Sequence, residues 1–336
     1  MLSKLVMGTA TYSPMIFRSA VQQIPKRNQF LVRQFQRDAK EAFQTRSQRI
    51  AERQTLRERA MAPPGPNAFA LGKGAVAGAS ALGIGALCFY GLGLGSGTSV
   101  LNNSMLWPEY VKERIHSTYA YFGGSVVITA ASSVAIFRSP TLLNLAARGG
   151  WIPLLASMAL MIGSGMVARS IPYEPGLGMK QLAWAAHCAI IGGVLAPLSF
   201  VGGPILLRAA MYTAGIVGGL STVAVCAPSD KFLYMGGPLA IGLGAVFAAS
   251  MASMFLPPTT AIGAGIYSLS LYGGLILFSG FLLYDTQRIV RKAETYPNYA
   301  MQPFDPVNAA ISIYMDTINI FIRVVSILAG GGNRRK

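Results

Sequence analysis

The chain has 336 residues, 52% of them hydrophobic and only 12% charged, with a mean hydropathy of +0.46. Soluble domains carry about 25% charged residues, so a soluble globular protein is excluded and a membrane protein is indicated. The 28 Lys and Arg against 12 Asp and Glu leave a net charge of +16, yet basic and aromatic residues interleave too poorly for nucleic-acid binding. Residues 1–37 contain Lys4, Arg18, Lys26, Arg27, Arg33 and Arg37, no acid, and short apolar faces around Leu5, Ile16 and Val21. Positive charge with marginal amphipathicity is what an electrically driven mitochondrial import signal requires, and no continuous apolar core marks a secretory one. Residues 38–66 read as a charged matrix-side segment and linker: Arg37 to Arg59, within "RDAKEAFQTRSQRIAERQTLRERA", form a solvated helix on the matrix side or at the lipid surface, broken by "APPGPN" at 62–67.

From residue 67 onward, apolar runs long enough to cross about 30 Å of hydrocarbon as helices recur. Eight are expected, at 74–98, 118–137, 151–168, 181–201, 205–227, 236–256, 263–289 and 306–328. The first falls within 67–98 and is rich in Gly, with Gly91 and Gly95 at a helix-packing spacing. No strand precedes it and no Lys-Ser/Thr follows, so it is not a phosphate loop. The fold class is therefore an all-α polytopic membrane protein. Connections on the side of the N-terminus hold seven Lys and Arg and those opposite hold eight, which leaves the orientation to the basic N-terminal arm and places both termini in the matrix. Residues 331–336 form a basic tail. Three cysteines, Cys88, Cys188 and Cys226, with only His116 and His187, make neither a disulfide framework nor a zinc or thiol centre. No enzyme is expected.

Two acids break the apolar pattern. Asp316 lies near the middle of "PVNAAISIYMDTINIFIRVVSIL", on a stripe of Asn308, Ser312, Asp316, Asn319 and Arg323 spaced 4, 4, 3 and 4. Such a stripe on one helix face must look at protein or water, not lipid. Asp285 closes the preceding apolar run, in "FLLYDTQRIVRKAE". On antiparallel helices the two fall at about the same depth, roughly 14 Å from one surface, so the carboxylates are able to meet. Two carboxylates in one dry site do not both ionise cheaply and would share a proton. Deprotonated, they would repel and offer hard oxygens to Ca²⁺, binding of which would release protons. The competing reading leaves Asp285 at the interface, neutralised by Arg288 or Lys292. An intramembrane aspartyl protease is disfavoured, because Asp316 follows Tyr-Met and lacks the Gly-x-Gly-Asp setting.

The order of "YDTQRIVRKAE" and "DPVNAAISIYMDTINIFIRVVSILA" resembles the C-terminal signature of the Bax inhibitor-1 (transmembrane BAX inhibitor motif) family, and the resemblance extends over residues 112–330. It implies a seven-helix core, to which the run at 67–98 adds one helix. It also implies an acid-sensitive aspartate pair, matched by Asp285 and Asp316, a basic residue ending the second core helix, matched by Arg169, calcium leak or calcium/proton exchange, and a link to apoptosis. The expectation is thus a multi-pass transporter of the mitochondrial inner membrane, moving Ca²⁺ and H⁺ through the pair, with no tightly bound cofactor and no nucleic-acid partner. The alternative is a non-transporting scaffold for cristae organisation and cytochrome c retention, using its Gly-rich helix and residues 37–59 to contact lipid and partner proteins of that membrane.

Overall fold

The computed structural model describes Arg37, Lys40 and residues 107–330 apart from 148–149, 227–231, 257 and 298. The expected import signal, the apolar run at 67–98, the basic tail and nearly all of the charged segment lie outside the described residues. Among those described, helices account for every regular element: α1 Glu109–Arg138, α2 Pro140–Ala146, α3 Trp151–Ser170, α4 Met179–Leu195, α5 Gly203–Cys226, α6 Gly236–Phe255, α7 Ala261–Ser268, α8 Gly274–Thr295 and α9 Pro306–Ala329. A 3₁₀ segment, Ala196–Val201, extends α4, a shorter one, Leu233–Met235, leads into α6, and a π-turn, Leu269–Gly273, joins α7 to α8. Among the described residues seven spans are long and apolar enough to cross a membrane, α7 and α8 counting as one. They match the seven expected runs from residue 118 onward. Apolar runs of this length select helices, which satisfy every backbone N–H and C=O within the segment inside hydrocarbon.

The distribution of side chains is that of a bundle dissolved in lipid. Ile276, Ile241 and Phe255 are 75–81% exposed, whereas the buried residues of α1 are Val111, Thr118, Ser125 and Thr129. Small polar residues form the inner seam because lipid supplies no hydrophobic drive between helices, and close backbone approach must do the work. At Gly192 of α4 a Cβ would overlap Ser132 and the Thr129 carbonyl of α1, so glycine is what lets these helices touch. The axis of the bundle is α9, which packs on α1, α3, α5 and α8. Half of its most apolar stretch is buried, against 6% for α3.

Two boundaries differ from expectation. Helix α1 starts nine residues before 118, because Pro108 precedes a first turn of charged residues that protrudes: 30 residues rise about 45 Å, more than the hydrocarbon is thick. The separator "RSPTLLNLAARGG" contains α2, started by Pro140 at its first position.

Candidate functional site

Spans alternate in direction, so one face of the bundle, called here the near face, collects the end of α3, the start of α4, the end of α8 and the start of α9. Asp285 lies ten residues before Thr295, and Asp316 ten residues after Pro306. Both are about 15 Å below the near face. The structure brings their carboxyl groups within hydrogen-bonding reach of each other. Asp316 is only 6% exposed, and its Oδ2 is buried with no donor among its neighbours. Asp285 is half-buried. Two ionised carboxylates at this separation would repel, so the contact is attractive only when a carboxyl carries a proton.

Positive charge reaches the pair from a distance. Arg169, at the end of α3, acts electrostatically on both aspartates, and Arg288 acts on Asp285. Neither forms an ion pair with them; among the described residues the ion pairs within 4.0 Å are Lys112–Glu109 and Lys180–Asp305. Lys292 turns instead over the Phe304 ring, 5.8 Å from its centroid. Asp285 is therefore not clamped at the interface by its own helix's cations.

The other stripe residues separate into two groups. Asn308 belongs with the near face, where its Nδ2 donates to the Arg169 carbonyl at 3.2 Å and ties α9 to the end of α3. Ser312 is half-buried on the stripe one turn above Asp316. Asn319 and Arg323 bond to each other, Arg323 Nη1 donating to the Asn319 carbonyl at 3.0 Å and to its Oδ1 at 3.1 Å. No hydrogen bond joins them to the aspartates.

Sequence reasoning missed what fixes the height of α9. Lys180, 1% exposed, pairs with Asp305 at 2.6 Å and donates to the Ile171 carbonyl at 2.7 Å. The other Asp305 oxygen accepts from the Asn308 N–H at 2.9 Å, capping α9, and Pro306 takes the first helical position. Asp-Pro opening a helix is a legible cap signal; nothing local marks Lys180 as its partner. A second missed network lies between α1, α3, α4 and α9. There Thr129 shares a 2.6 Å hydrogen bond with the Tyr314 hydroxyl and reaches the Cys188 carbonyl, while His187 Nδ1 meets Ser164 at 2.8 Å.

Among the described residues, seven apolar spans, six of them around the polar-striped α9, define a helical, polytopic membrane protein. Comparison with known sequences carries this further. Residues 111–334 match the family model described as Inhibitor of apoptosis-promoting Bax1, Bax1-I. The chain is 55% identical over 286 residues to growth hormone-inducible transmembrane protein of Rattus norvegicus, covering 84% of this chain and 83% of that one. It is 31% identical over 187 residues to a probable Bax inhibitor 1 of Paralichthys olivaceus, covering 54% and 73%. An uncharacterized membrane protein of Vibrio cholerae is 35% identical over 186 residues, covering 53% and 76%. The chain belongs to the Bax inhibitor family.

Proposed function

We propose that this chain moves Ca²⁺ across the mitochondrial inner membrane in exchange for protons, through the Asp285–Asp316 pair. The observation that carries the reading is the meeting of two carboxyl groups at one depth inside the bundle, with cations near but not bonded. With a proton between them the carboxyls latch α8 to α9. Loss of that proton leaves two negative charges in contact, which Ca²⁺ neutralises and reprotonation displaces, so cation and proton occupancy alternate. Two carboxylates offer at most four oxygens of the six to eight that Ca²⁺ takes. Water and backbone carbonyls must complete the shell, which suits a site that releases its ion. Arg169 favours the deprotonated pair and opposes retention of the cation. The mitochondrial assignment is supported by the acid-free basic segment 1–37.

The test is Ca²⁺ flux into proteoliposomes under an imposed pH gradient, wild type beside Asp316→Asn. Flux should respond to the gradient and collapse in the variant; unchanged flux in the variant removes the mechanism. A scaffold reading has one observation in its favour: the match to the rat relative covers 84% of the chain and so reaches beyond the family domain into the N-terminal segment. On that reading, deletion of residues 37–98 abolishes the cellular phenotype while the Asp285→Asn/Asp316→Asn double variant retains it.

A further inference from the structure

Arg323 ends the polar stripe, and the aspartate pair makes no use of it. It lies six residues before the end of α9, about 9 Å inside the face opposite the near one. A guanidinium at such a depth is costly unless it is partnered. Its partners here are all neutral: the amide of Asn319 and the ring of Phe278, 4.6 Å from the guanidinium carbon to the centroid. Among the described residues no carboxylate lies within ion-pair distance. Nε is buried without an acceptor, and Nη2 makes no hydrogen bond. The fold nevertheless makes room for the group. At Gly274, the residue after the π-turn, a Cβ would overlap Arg323 Nε and crowd the guanidinium carbon.

Beside Arg323 is a cavity of about 370 Å³. Its walls come mostly from α3 and α6, with Met158, Phe247 and Met251 among them, and its polar atoms come from Ser250, Asn319 and Arg323. The Ser250 hydroxyl is already engaged, with the Val246 carbonyl and Ser270. Leu243, Phe247 and Met254 of the lining are exposed on the bundle surface, so the mouth is apolar. The volume falls at the small end of ligand pockets, ~300–1,000 Å³, and the groove opens on the bundle surface, so it holds one hydrocarbon chain laid against it. An apolar chamber with a single cation at its polar end selects an amphiphile whose head is anionic, and a carboxylate matches the guanidinium fork in charge and geometry.

We propose that this cavity binds a long-chain carboxylic acid from the bilayer, its carboxylate on Arg323 and its chain along α3 and α6. The site is separate from the aspartate pair and does not depend on the transport reading. Full-length protein in nanodiscs of zwitterionic lipid would be titrated with a diazirine-bearing C16 fatty acid, its methyl ester, and a diacyl phosphatidylglycerol with the same photoactive group. The acid should label α3 and α6 peptides saturably, with competition by unlabelled acid, and at least tenfold more tightly than the ester. Arg323→Gln should weaken labelling about tenfold. Met251→Trp, which adds bulk to the lining on α6 and keeps the Arg323 charge, should abolish it. Equal labelling by acid and ester on the wild-type protein overturns the proposal, a result that needs no variant to fold. So does labelling indifferent to Arg323→Gln or to Met251→Trp in protein that elutes as wild type. Stronger labelling by the phospholipid also overturns it, assigning the cation to a headgroup instead.

Discussion

Asp316 and Arg323 share one face of α9, seven residues and about 10 Å apart, in opposite settings. Asp316 meets a second carboxyl and leaves an oxygen without a donor, with Arg169 acting only from a distance. Arg323 meets an amide and an aromatic ring and leaves nitrogens without an acceptor, beside an apolar chamber. Each half of the stripe is incomplete, and the way it is incomplete names what completes it. Two acids in contact call for something small and positive. A lone base under a hydrocarbon roof calls for a negative head carrying an apolar tail. A polar stripe in a membrane helix is thus not one pathway merely because it is continuous; here its polarity reverses partway along.

The largest effect that sharpens this contrast is expected from Asp316→Asn, which should lower proton-coupled Ca²⁺ flux at least about a hundredfold, since it removes the deeper of the two carboxylates that would hold the proton and the cation. Asp285→Asn, at the half-exposed position, should cost less, about tenfold; the reverse order in flux assays would break the assignment of Asp316 as the deeper ligand. Asp305→Ala should come next, destabilising the bundle by about 3 kcal/mol by stranding buried Lys180 and uncapping α9. Lys180→Met should cost less because the cap survives, and thermal unfolding in detergent measures both. Gly274→Ala should push Arg323 aside, lower stability by about 1–2 kcal/mol and leave Ca²⁺ flux near wild type. A flux collapse there would merge the two halves into one device. Arg288→Gln should change flux by less than about twofold, because its charge is exposed and unpaired with Asp285.

Much of this was legible in the chain. Of the eight expected runs, the seven from residue 118 onward are spans among the described residues, since hydrocarbon length and backbone satisfaction leave few alternatives. The spacing of Asn308, Ser312, Asp316, Asn319 and Arg323 marked the inward face of α9, and counting residues from the loop placed Asp285 opposite Asp316. What escaped depends on distant partners or on local geometry without a compositional sign. Nothing near Lys180 says that Asp305, more than a hundred residues on, will hold it. Nothing in "LSLYG" distinguishes a π-turn from ordinary helix, and Gly274 reads as one more small residue until Arg323 is seen against it. The division of the stripe was hidden for the same reason: periodicity tells which face a residue occupies, not what stands across from it.

The clip at the start of α9 has one more implication. With Asp305 bonded at once to Lys180 and to the Asn308 N–H, the origin of the helix is pinned, and every later residue stands at a set height and azimuth like a mark on a graduated rod. One residue inserted between 306 and 316 would turn Asp316 through about 100° and shift it 1.5 Å, swinging it out of register with Asp285. The same insertion after 316 would leave the acids facing each other and instead turn Asn319, Arg323 and the buried Ile320 and Val324 out of register. The interval between clip and carboxylate is therefore expected to tolerate exchange of side chains but no change in length.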